Sequence, residues 1–181
     1  MALDLGRCPI QVQGRDPVGE GDRHELFGKG AEDATVAENV IGDGNCGYRV
    51  VADFVFGDEH QWSEDKLASG WTCAYAHWFK TPDLLYIVAN AFNLCVILIA
   101  QLSSTTMLPL YSYSDCPKGT LVIGFLTEER HFIQLQLNDM CPIPPLNVQW
   151  IHHHSEWVRN CADSYQHRIA YWNARVARNR K

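Results

Sequence analysis

The chain has 181 residues, 46% of them apolar and 20% charged, which fits one compact domain and excludes a wholly disordered or fibrous polymer. Its formal charge of −6, from 15 basic and 21 acidic side chains, argues against a general nucleic-acid-binding surface. The charge is uneven, with fourteen acidic against five basic side chains in residues 1–65 and six basic against two acidic in 156–181.

Six of the thirteen glycines fall in the first 36 residues, with no lasting apolar periodicity, so 1–36 reads as an irregular leader and 37–181 as a single domain. Val40-Ile41 approaches the turn Gly42-Asp43-Gly44-Asn45. From Cys46 to Phe56 the apolar residues Tyr48, Val51, Ala52, Val55 and Phe56 recur at helical spacing, and Gly57 ends the run. Ser63-Glu64-Asp65-Lys66 predicts the start of a second helix extending to residue 78. Thr81-Pro82-Asp83 predicts another, with Thr81 as N-cap and Pro82 in the first position, ending near residue 93.

Residues 84–100 are the most apolar stretch, but Asn90 and Asn93 interrupt it and it falls short of the ~20 residues that span a bilayer. It reads as a helix followed by a buried strand over 94–100. A β-rich run from Thr120 to Leu126 is turned back by Thr127-Glu128-Glu129-Arg130. His131–Leu137 then alternates, which puts residues 131, 133, 135 and 137 on one face. Cys141-Pro142-Ile143-Pro144-Pro145 is expected to wrap the surface in extended form. A last amphipathic helix over 155–178 carries Trp157, Val158, Cys161, Tyr165, Ile169, Trp172 and Val176 on one stripe and ends in a basic segment. Helices, then a small sheet, then a helix make the fold class α+β.

Seven cysteines form no CxxC pair, and the N-terminus lacks the basic start and apolar run of a secretory signal. Free thiols and an intracellular address, cytoplasmic or nuclear, are the expectation. The chemistry concentrates at Cys46. A cysteine at a helix start after a Gly-rich turn faces unpaired backbone N–H groups and the positive end of the helix dipole, which favour thiolate over thiol. The turn residues Gly44 and Asn45, with Cys46 itself, are candidates for an oxyanion hole. Turnover also needs an imidazole, and His131, opening a strand, is the best placed of eight histidines.

Asp43-Gly44-Asn45-Cys46 with Gly47-Tyr48-Arg49, then Gly124-Phe125 before His131-Phe132-Ile133-Gln134-Leu135, resembles the ovarian tumour (OTU) family of cysteine proteases. Trp78-Phe79-Lys80-Thr81-Pro82-Asp83, Cys141-Pro142-Ile143-Pro144-Pro145 and the Trp150 to His153 stretch look most like the OTU-like domains associated with plant and fungal transposable elements. The resemblance covers roughly residues 37–172. It implies a papain-type cysteine protease fold with a small central sheet packed between helices. The implied activity is deubiquitination, the thiol-dependent cleavage of isopeptide bonds after the C-terminal Gly-Gly of ubiquitin or a ubiquitin-like modifier. Ubiquitin or polyubiquitin would be the partner, and no cofactor is required. Carried over by position, Cys46 is the nucleophile, His131 the base and then acid, and Asp43 either the third catalytic member or the residue that orders the oxyanion loop.

The sequence departs from the family where many members place Asp or Asn two residues after the histidine, because Ile133 stands there and accepts no hydrogen bond. The alternative reading is therefore a catalytically weak or inactive ubiquitin-binding module of the same fold. Glu128, Glu129 and Phe132 are candidate substrate contacts, the two carboxylates for the arginines of the ubiquitin tail. His152-His153-His154 with Cys161 and His167 shows no zinc-finger spacing, so no metal is expected. The basic C-terminal residues read as a solvated helix end.

Overall fold

In the computed structural model, which describes residues 34–38, 40–62, 79–111, 117–138 and 140–179, five strands form one sheet. They are β1 (Ala34–Glu38), β2 (Cys95–Ala100), β3 (Thr105–Met107), β4 (Thr120–Leu126) and β5 (His131–Leu137), in the spatial order β1-β5-β4-β2-β3. Only β2 and β4 pair in parallel, with Cys95 opposite Thr120 and Ala100 opposite Phe125; the other pairings are antiparallel. The central position of that pair explains the unbroken apolar run of β2, since a strand covered on both faces has no solvent side.

Period-two alternation then divides β2 between two cores. Cys95, Ile97 and Ile99 join Val122, Ile133 and Leu135 on one face, beneath Trp150, Val158, Cys161, Ile169 and Trp172. These come from α3 (Val148–His153), a 3₁₀ segment (Glu156–Ala162) and α4 (Asp163–Asn179). Val96 and Leu98 face the other way, with Leu121, Ile123 and Phe132, toward residues Val50 and Val51 of α1 (Cys46–Phe56) and Leu85, Val88 and Ala89 of α2 (Asp83–Phe92). Complete burial of an aliphatic side chain such as Ile97 or Ile123 contributes about 1.5–3 kcal/mol before entropy is counted. The α+β class and the sheet between helices are those read from the sequence.

Helix α1 begins and ends as the spacing predicts, closed by Gly57 in the left-handed conformation at φ 73°. The start of α2 differs: Pro82 caps it with no side-chain hydrogen bond, and the helix proper begins at Asp83. Strand β1 starts at Ala34, inside the stretch read as an irregular leader, and pairs with β5 across a bulge between Val36 and Glu38. Residues 1–33 and the helix expected over 63–78 lie outside the described residues. What was expected as one helix from residue 155 is the 3₁₀ segment followed by α4.

The proline-rich segment is extended, but it is not on the surface. Cys141 and Ile143 are 4% and 0% exposed. Its carbonyls find partners inside the protein: Thr106 Oγ1 donates to Pro144 O at 2.7 Å and Arg168 Nε to Cys141 O at 2.6 Å. Proline excludes the helix without deciding burial, and supplied acceptor partners allow the segment inside.

Close packing at the start of α1 makes one glycine irreplaceable. A Cβ on Gly47 would lie 2.4 Å from both Cβ and Cγ of Phe79. Gly47→Ala is expected to cost about 1–3 kcal/mol in urea unfolding despite the better helix propensity of alanine, because Phe79 must shift. Unchanged or raised stability would contradict this contact.

Candidate active site

The turn before α1 is built around Asp43. Gly44 takes φ 84°, a conformation open to glycine at little cost, and this bends the chain so that the Asp43 carboxylate faces back along the turn. Asp43 Oδ1 accepts from the backbone N–H of Asn45 at 2.9 Å, and Oδ2 accepts from Arg49 Nη2 at 2.6 Å. Arg49 Nε lies 3.3 Å from both carboxylate oxygens. The Arg49 side chain is 6% exposed, and the guanidinium also stacks over the Trp62 ring at 5.4 Å from its centroid. Burial alone would raise the Asp43 carboxyl, but the Arg49 and Asn45 contacts hold it below its ordinary 3.8.

The following 3₁₀ turn (Glu59–Trp62) braces the same loop. Glu59 Oε2 accepts from Ile41 N–H at 3.0 Å, and Arg49 Nη1 reaches Glu59 O at 3.5 Å and His60 Nδ1 at 3.4 Å. Asn45 is 1% exposed. Its amide lies against the Asp43 carboxylate and helps keep it ionised, yet neither amide atom makes a hydrogen bond of good geometry. The Asn45 backbone N–H, expected in an oxyanion hole, is committed to Asp43 instead.

Cys46 opens α1 and is 4% exposed. Its Sγ accepts the backbone N–H of Phe132 at 3.3 Å, so the thiol is seated against the start of β5, one residue after His131. Here the thiolate expectation fails. Burial pushes the Cys46 thiol above its ordinary 9.0, and the negative Asp43 adds to this, against the pull of the Phe132, Gly47 and Cys46 N–H groups. Desolvation outweighs the helix terminus.

His131 meets the loop at Gly42, whose α-carbon faces the ring so closely that an added Cβ would sit 3.5 Å from Nδ1. Burial lowers its pKa from 6.5, while Glu129, Asp43 and a hydrogen bond from the ring to the Val40 backbone act in the opposite sense. The ring is therefore tied to a backbone carbonyl. Ile133 is fully buried in the core, as its side chain requires. Burial thus pushes both Cys46 and His131 toward their uncharged forms, thiol and free base.

A cleft of about 450 Å³ opens over Cys46. Gly44 and Cys46 contribute from the turn, Phe79 and Thr81 from the segment before α2, and Phe125, Thr127, Arg130 and Phe132 from β4, β5 and the turn between them. Phe132 touches both other rings, with centroids 5.5 Å from Phe79 and 4.7 Å from Phe125. Of the expected substrate contacts, Phe132 lines the cleft, whereas Glu128 and Glu129 are exposed and lie outside its lining. Arg49, Phe79, Phe125 and Arg130 were not singled out as site residues, although Arg49, Phe79 and Phe125 fall inside the quoted motifs. Arg130 takes φ 54°, a left-handed conformation that costs a non-glycine residue about 1 kcal/mol.

The rings of His152 and His153 meet edge to face at 6.4 Å between centroids. His154 stacks on Trp150 at 4.2 Å between centroids, and Cys161 is buried in the core. No group of three metal-ligating side chains comes together among the described residues, and no helix among them is long and apolar enough to cross a membrane.

No family model and no curated protein matches the sequence. Among solved structures the chain is similar to the OTU domain of OTUD1, at 16% identity and a TM-score of 0.41, over 64% of this chain and 91% of that one.

The neutral resting state has a measurable consequence. Iodoacetamide alkylation of Cys46, followed by peptide mass spectrometry to separate it from the other thiols, is expected to be slow at pH 7 and to climb until the pH passes 9.0. A rate already at its plateau near pH 6 would mean an ion pair instead.

Proposed function

We propose that the protein is a thiol isopeptidase of the OTU type, cleaving the bond after the C-terminal Gly-Gly of ubiquitin or a ubiquitin-like modifier. The observation that carries this is the seating of Cys46: a helix-start cysteine beneath an aromatic cleft, with Sγ held by the N–H that follows His131. His131, neutral at pH 7, acts as base. It takes the Sγ proton as sulfur attacks the glycine carbonyl carbon, then returns it to the lysine amine as the C–N bond breaks. Water, deprotonated by the same imidazole, hydrolyses the thioester and frees the thiol. The N–H groups at the start of α1 support the oxyanion of each tetrahedral intermediate. Asp43 acts by ordering the turn through Arg49 and Asn45, and through its charge on the imidazolium when that forms. A passage lined by phenylalanines and Gly44 suits a tail whose last residues carry no side chains.

The second reading, a binding module with little turnover, is favoured by the raised Cys46 thiol and by the lack of a carboxylate at Ile133. Ubiquitin carrying a C-terminal electrophile separates the two. Wild type is expected to gain one adduct by intact mass and Cys46→Ala none. Ubiquitin binding without an adduct would select the module.

A further inference from the structure

The charge inside the cleft differs from the charge on the turn beside it. Glu128, Glu129 and Arg130 are consecutive, and all three are exposed, but Arg130 alone of them lines the cleft. It is also the only charged residue among the described residues that line it. The two side-chain ion pairs between described residues are Arg49–Asp43 and Arg159–Glu156, so the Arg130 guanidinium is not spent on a carboxylate of any described residue. Its backbone is the second peculiarity. Arg130 closes the β4–β5 turn at φ 54°, a position that glycine or asparagine fills with less strain. Strain kept at the rim of the cleft, by a charged residue that helps line it, points to the side chain as the reason.

Guanidinium recognises carboxylate through paired charge-assisted hydrogen bonds. We propose that Arg130 reads a carboxylate on the acyl side of the substrate, so that the site selects a polypeptide tail with an acidic residue just upstream of the terminal Gly-Gly over one with a basic residue there. This rests on the proposed thiol chemistry, since Cys46 fixes where the glycines lie. The aromatic passage next to Gly44 takes the glycines, and the rim cation meets the residues that precede them. A tail with arginines at those positions brings like charge against Arg130, which penalises the ubiquitin tail relative to an acidic one.

The test uses two short peptides ending in Gly-Gly with a C-terminal electrophile, one with glutamates and one with arginines immediately upstream, each followed by the rate of adduct formation at Cys46. Wild type is expected to react roughly five- to tenfold faster with the acidic probe at low salt. The ratio should approach one in Arg130→Gly and invert in Arg130→Glu. Arg130→Gly should also melt no lower than wild type, because glycine relieves the left-handed backbone, and this separates recognition from folding. Equal rates in wild type, a preference for arginine, or an unchanged ratio in Arg130→Gly would overturn the assignment while leaving the thiol chemistry intact. If neither probe reacts with a folded protein whose Cys46 is still alkylated by iodoacetamide, the isopeptidase reading itself falls, and the assignment falls with it.

Discussion

The ion pair between the half-buried Asp43 and the buried Arg49 is the constraint on which the candidate site depends. It joins the turn before α1 to the first turns of that helix at 2.6 Å, and Trp62 and Glu59 then tie the guanidinium and Ile41 to the next segment. A guanidinium this deeply covered is tolerated only with its partner present, and removing one member of such a pair costs about 3 kcal/mol or more. That is a large share of the ~5–15 kcal/mol by which a domain is stable. The turn that presents Cys46 and meets His131 is therefore held by electrostatics, whereas the sheet behind it is held by apolar burial.

The same geometry sets the resting protonation state. A helix N-terminus lowers a thiol pKa and burial raises it, and at Cys46 burial wins because the side chain is 4% exposed with a carboxylate nearby. His131 responds in the opposite direction for the same reason, its charged form being the one disfavoured. The outcome is that burial favours the uncharged form of both groups.

Much of this was legible from the residues. Period-two alternation and β-branched runs give β4 and β5 with the observed ends, and the left-handed cap at Gly57 closes α1 where a glycine stop predicts. The place of His131 at a strand opening and the motif together point to the start of β5 as the partner of Cys46, since no local rule joins positions 86 residues apart. Other features left little local signal. Strand β3 has three residues, and α3 is a short helix whose N-cap, Asn147, accepts from Gln149 N–H at 2.9 Å. The Asp43–Arg49 pair spans six residues across a helix boundary, so helical i,i+4 spacing does not reveal it. The thiolate expectation failed because a sequence shows a helix start and hides the burial that opposes it. The choice of Arg130 over Glu128 and Glu129 at the cleft depends on which side of a turn faces inward, and adjacency in sequence does not fix that.

The central claim is that the Cys46 thiol and His131 form one reacting pair. Turnover of a Gly-Gly-terminated fluorogenic amide by wild type and His131→Ala, with thermal unfolding recorded for both, tests it most directly. The account predicts a loss of about 100-fold or more in kcat/KM, as expected for removal of a general base, with the melting temperature little changed. Equal turnover by the two folded proteins would contradict it.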